Sequence, residues 1–228
     1  ETCGTYGTPP CEAGEEGIPL FWKSPCIEYR VNEDGSDSIL DPGLDEETYD
    51  AIRASFQTWN DVECSELQVV DGGTTPVSIV EGRPPEGSDR ERMSLIIFHD
   101  RDWVTTTGTS SSAYALTSVS YLPDTGQILD ADIEFNSEFY TIVVDRQPDE
   151  GEVYLQNTLT HEAGHLIGFA HSEDPDSTMY ARAPLGETDK TTLEDDDIAG
   201  LCEVYPAGEN SNACEDPEDF DQSPPDDG

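Results

Sequence analysis

Three of the chain's four histidines, His161, His165 and His171, fall within eleven residues of the stretch THEAGHLIGFAHSEDPDSTMY, residues 160–180. Imidazole nitrogens are metal donors at neutral pH, and histidines four apart lie one helical turn apart on one face, so both can reach a single ion. With Glu162 between them the first two spell H-E-x-x-H; Gly168 and His171 extend it to H-E-x-x-H-x-x-G-x-x-H. Five fixed positions would arise by chance in a chain of this length roughly once in ten thousand. Composition is therefore no explanation for the cluster.

Each residue type has a chemical reason to be where it is. A third ligand cannot come from the same straight helix, so the chain must leave sharply, and glycine adopts the left-handed conformation that this needs without steric cost. Gly168 makes that exit, and His171 returns to complete the triangle. Three neutral imidazoles leave a fourth position for water, the open arrangement of a catalytic zinc rather than the closed one of a structural zinc. Glu162, on the helix between the ligands, is placed to take a proton from a metal-activated water and pass it to a leaving amine. The chemistry expected is peptide hydrolysis without a covalent intermediate.

Those side chains need a scaffold. Leu155, Leu159, Ala163 and Leu166 form one apolar stripe of a helix expected from Glu152 to Gly168, with His161 and His165 on roughly the opposite face. LDEETYDAIRASFQTWNDVEC predicts a second helix with Asp45 as its N-cap and Tyr49, Ile52, Phe56, Trp59 and Val62 facing the core. Strands are expected near residues 26–31, 67–70 and 94–99. SAYALTSVSYL and ILDADIEFN flank the turn signal PDTGQ. In the second, Leu129, Ala131, Ile133 and Phe135 alternate with polar residues, which predicts a strand pair with one solvated face. A last helix is expected over residues 192–204, with Leu193, Ile198 and Leu201 inward. Residues 1–17 read as a Cys, Gly and Pro-rich N-terminal extension, 18–206 as the folded domain, and 207–228 as an acidic, Pro-rich tail.

The extended histidine motif resembles the signature of the metzincin zinc endopeptidases, and STMY resembles their Met-turn, in which a methionine lies beneath the metal. Tyr180 follows Met179 directly, as in the matrixins; LEDDDIAGLCEVYP is similar to their C-terminal helix, and ILDADIEFN to the strand before the active-site helix. The resemblance runs from about Gly17 to Pro206. It implies an α+β (α/β-like) fold: a twisted, mostly parallel five-stranded sheet with one antiparallel edge strand, an active-site helix, a second long helix and a C-terminal helix. It also implies one catalytic zinc on His161, His165 and His171, Glu162 as base, Met179 beneath the site, and a substrate lying along an edge strand within YALTSVSY. Vertebrate matrixins hold a second, structural zinc with further histidines. Here only His99 remains, and it is expected to be a strand-end residue. The segment ARAPLGETDKTT would shape the main specificity pocket.

The bulk properties narrow the setting. With 51 acidic against 10 basic residues the net charge is −41, which repels nucleic acid and anionic membranes. Beside the plain reading of a solvated acidic surface stand two others: adaptation to salt, towards which the two lysines against eight arginines lean, and structural calcium. The six cysteines, at 3, 11, 26, 64, 202 and 214, form no C-x-x-C pair and read as disulfides, hence a secreted, extracellular protein. Proximity suggests Cys3–Cys11, Cys26–Cys64 and Cys202–Cys214. A start at Glu1 without an apolar leader suggests a processed chain. The expected partner is a protein or peptide substrate of a monomeric zinc metalloendopeptidase. A non-proteolytic adhesion or scaffold module that kept fold and metal is the alternative, and intact Glu162 speaks against it.

Overall fold

In a computed structural model, the described residues are 18–39, 45–80, 93–144, 147–208 and 214. The N-terminal extension, the Cys3–Cys11 pairing and nearly all of the tail fall outside them.

The strands are β1 (Phe21–Trp22), β2 (Cys26–Asn32), β3 (Gln68–Thr75), β4 (Ser94–Phe98), β5 (Ala115–Tyr121) and β6 (Gln127–Phe135). β2 pairs in parallel with both β3 and β4, β4 pairs in parallel with β6, and β5 lies antiparallel on β6 at the sheet's edge. This is the expected five-stranded sheet, to which the two-residue β1 adds a short parallel pairing on Gln127 and Ile128. A second, two-stranded sheet joins β7 (Thr141–Val143) and β8 (Glu152–Tyr154) in parallel. The helices are α1 (Glu46–Asn60), the short α2 (Trp103–Thr107), α3 (Leu155–Leu166) and α4 (Asp195–Val204).

α1 begins as its sequence directs: the Asp45 carboxylate accepts the Thr48 N–H at 2.8 Å, and Glu46 and Glu47 sit against the positive end of the helix dipole. Its Ile52, Phe56 and Trp59 are buried against the α3 stripe of Leu155, Leu159, Ala163 and Leu166, while Tyr49 and Val62 are only partly covered. The Trp59 indole donates to the Thr160 carbonyl at 2.9 Å, which fixes the two helices in register. α3 starts later than its apolar periodicity suggested, because Glu152–Tyr154 pair with β7 as a strand before the helix begins.

Two expectations are corrected. β6 has no solvated face: all nine of its residues are buried. Two of its carboxylates find partners inside the fold, Asp132 accepting the Leu95 N–H at 3.0 Å and Glu134 meeting His99 Nε2 at 2.6 Å. The segment after β4, which carries His99 and the fully buried Trp103, folds over that side of the sheet. Among the described residues the disulfides are Cys26–Cys214 and Cys64–Cys202, not Cys26–Cys64 and Cys202–Cys214. The chain leaving α4 runs against residues 64–66, with Glu66 N–H donating to Tyr205 O and Ala207 N–H to Cys64 O. That crossing brings Cys202 to Cys64.

Candidate metal centre

α3 is amphipathic in an unusual sense, since ten of its twelve residues are buried, the apolar stripe by the core and the opposite face by the loops of the site. Its C-terminal end is buried too, and orphan carbonyls there need partners. The Trp22 indole donates to Leu166 O at 2.8 Å and the Tyr205 hydroxyl to Ile167 O at 2.8 Å. The chain then turns at Gly168, whose φ is +110°; a Cβ there would stand 2.6 Å from the Leu20 carbonyl oxygen. The exit predicted for this glycine is therefore required twice, by conformation and by contact.

His161, His165 and His171 converge so that their ligand atoms all lie within 4.8 Å of one another. Nδ1 of His161 faces the Thr178 carbonyl and Nδ1 of His165 the Phe169 carbonyl, both at 2.7 Å. A carbonyl can only accept, so in each neutral ring the proton sits on Nδ1 and the lone pair is left on Nε2. Nε2 of His165 and Nε2 of His171 are 3.1 Å apart. Two nitrogens on one tetrahedral zinc stand about 3.3 Å apart, so the donor set and its spacing fit that ion. Burial pushes the His161 imidazole down to about 3 against the opposing pull of Thr178 O, takes His165 well below the ordinary histidine value, and lowers His171. All three favour the neutral, metal-binding form.

Glu162 is buried beside them and lines the same cleft of about 480 Å³, whose walls also include Tyr114, Ala115, Asn157, Tyr180 and Lys190. Burial raises its carboxyl to about 7; a hydrogen bond from Thr117 and the charge of Lys190 oppose the rise. The Thr117 hydroxyl donates to Glu162 Oε2 at 2.6 Å.

Met179, 1% exposed, lies against the helix, and a Cβ on Gly164 would collide with its sulfur and with the Trp59 ring. The turn around it is clamped on both sides. The Asp197 carboxylate takes the N–H groups of Thr178 at 2.8 Å and Met179 at 3.1 Å and the Ser177 hydroxyl at 2.6 Å, and caps α4 as well. Lys190 Nζ donates to the carbonyls of Thr178 and Tyr180. Thr178 O thus serves both Lys190 and His161. Ser172 N–H donates to Met179 O at 2.9 Å, tying the residue after His171 to the same turn.

Every sequence-predicted site residue, His161, Glu162, His165, Gly168, His171 and Met179, stands in this one place. Gly164, Thr117, Lys190 and Asp197 escape a motif reading. Lys190 carries one faint signal: it is one of two lysines in a chain with 51 acids. Tyr114, on the approach to β5, spans the cleft by donating to Ala183 O at 3.0 Å.

The matrixin family model matches residues 21–206. Matrix metalloproteinase-16 of Homo sapiens is 25% identical over 185 residues, covering 81% of this chain and 27% of the relative. Metalloendoproteinase 1-MMP of Arabidopsis thaliana is 25% identical over 186 residues, 81% of this chain and 44% of the relative. Matrilysin of Homo sapiens is 41% identical over a shorter stretch of 54 residues, 24% of this chain and 20% of the relative. The match thus spans about a quarter of the length of matrix metalloproteinase-16. With the family model covering everything from β1 to the end of α4, this chain belongs to the matrixins, a family of zinc metalloproteases.

Proposed function

We propose that this chain is a secreted zinc-dependent endopeptidase in which His161, His165 and His171 hold the ion and Glu162 is the general base. The observation that carries the reading is the placement of a buried carboxylate on the same helix turn as two neutral imidazoles, in a cleft that all of them line. Bound zinc would supply Lewis acidity, polarising a scissile carbonyl and lowering the pKa of a water. Glu162 takes the proton of the attacking water and delivers it to the departing amine; its raised affinity for protons suits both halves of that task. Met179 and the clamped turn beneath it hold the His161 ring through Thr178 O. β5 presents an edge along which an extended peptide can add as an antiparallel strand. The disulfides Cys26–Cys214 and Cys64–Cys202 fit an oxidising, extracellular setting. Structural calcium is the second reading of the carboxylate surplus, after adaptation to salt.

The test is Glu162→Ala, assayed on a diverse peptide library with and without a zinc chelator. The variant should bind one zinc as the parent does and lose proteolysis by at least a hundredfold, the scale on which general bases act. Undiminished cleavage would remove Glu162 from the mechanism, and the absence of chelator-sensitive cleavage by the parent would favour the adhesion module.

A further inference from the structure

Thr117 occupies an inward position of β5 and is completely buried. A strand asks for a β-branched residue there, and valine would meet that demand with the same shape. A hydroxyl at such a place costs free energy unless it is bonded. Thr117 Oγ1 finds Glu162 Oε2 at 2.6 Å and, more distantly, Glu162 O at 3.2 Å. The hydroxyl has one proton to give, and the shorter, charge-assisted contact takes it.

We propose that Thr117 is a positioning residue for the base: its hydroxyl holds Glu162 Oε2 and thereby reserves Oε1 as the oxygen that takes up and returns the proton. A carboxylate on a two-carbon stem can otherwise present either oxygen after a rotation about its last bond. An oxygen already receiving a hydrogen bond is the poorer proton acceptor of the two. A proton taken from water therefore resides on Oε1, and the same oxygen later gives it up, without a rotation of the carboxyl group or a proton migration between steps. The holder sits on β5, the edge strand that borders the cleft through Ala115. An extended substrate seated on that strand and the base that acts on it would then share one rigid element, which sets their distance without recourse to a flexible loop.

The inference rests on the endopeptidase reading, so its test has an arm that does not need turnover. In Thr117→Val zinc protein, kcat should fall roughly 10- to 100-fold, the range seen when partners of active-site groups are removed. KM, zinc stoichiometry and Tm should stay near the parent's, and Thr117→Ser should restore most of kcat. A residue needed only for packing would behave oppositely: valine would serve and serine would not. In infrared difference spectra against Glu162→Gln, the Glu162 carboxylate band should shift in Thr117→Val and return in Thr117→Ser. An unshifted band, or parental kcat in the valine variant, overturns the role of Thr117 and leaves the reading of Glu162 intact. A parent protein that cleaves nothing defeats the endopeptidase reading, while the band shift alone then decides whether Thr117 holds Glu162.

Discussion

Neutrality of three imidazoles is the property on which the site depends, and it has a measurable proton count. Ordinary histidines at pH 6 are mostly protonated, so three of them would release roughly two protons on binding a metal ion. With His161 pushed down to about 3 and His165 well below its usual value, zinc uptake by Glu162→Gln protein at pH 6 should release well under one. Calorimetry in buffers of different ionisation enthalpy reads this directly, and a release near two would mean ordinary, solvated rings. The same shifts fix the sign of the acid response of the metal-free fold. Between about pH 6.5 and 3 the unfolded chain holds more protons than the folded one at these histidines, so stability falls as the pH drops through that window. Glu162, raised to about 7, acts in the opposite sense: it withdraws stability as the pH rises from 4.5 towards 7. At this scale the three converging histidines, Glu162 and the glycine exit were legible because they lie in one continuous stretch. Thr117 and Asp197 were not: they reach the site from 45 residues before Glu162 and 19 after Thr178, and a threonine in a strand or an acid in a first helical turn has an ordinary reason to be there.

Among the elements, α3 is fitted to its neighbours at a position no motif marks. Gly164 leaves the room that Met179 and the Trp59 ring fill. Gly164→Ala would improve intrinsic helix propensity and yet should destabilise the protein by about 1–3 kcal/mol through overpacking, with a drop in zinc affinity as the turn carrying Thr178 is displaced. Thermal unfolding and chelator competition check the two effects; a variant as stable as the parent would show that the methionine and the indole have slack. Apolar periodicity placed α1, β2 and β4 well, because each buries a single continuous pattern. It misread β6, where alternating charges signalled solvent. Asp132 and Glu134 are met by Leu95 of the neighbouring β4 and by His99 just after it, segments remote in sequence, and alternation alone cannot tell a solvated charge from one whose partner comes from elsewhere. The pairing of cysteines failed for the same reason: it is a property of how α4 and the chain after it cross the end of α1.

For the whole molecule, a charge of −41 is a self-repulsion that salt screens. With zinc and calcium held saturating, Tm should fall steeply on desalting; a flat response would set aside adaptation to salt as the reason for the composition. Cys26–Cys214 and Cys64–Cys202 act against that repulsion by limiting how far the unfolded chain can expand. They also alter what a cut means. Cys26–Cys214 closes a ring over 188 positions, inside which Cys64–Cys202 closes another over 138. Whatever protease makes it, a single nick between residues 26 and 214 would leave one covalent molecule that migrates whole on a non-reducing gel and parts into fragments only when reduced. Scission and loss of the molecule are thus separate events for this chain: a nicked copy keeps both its pieces.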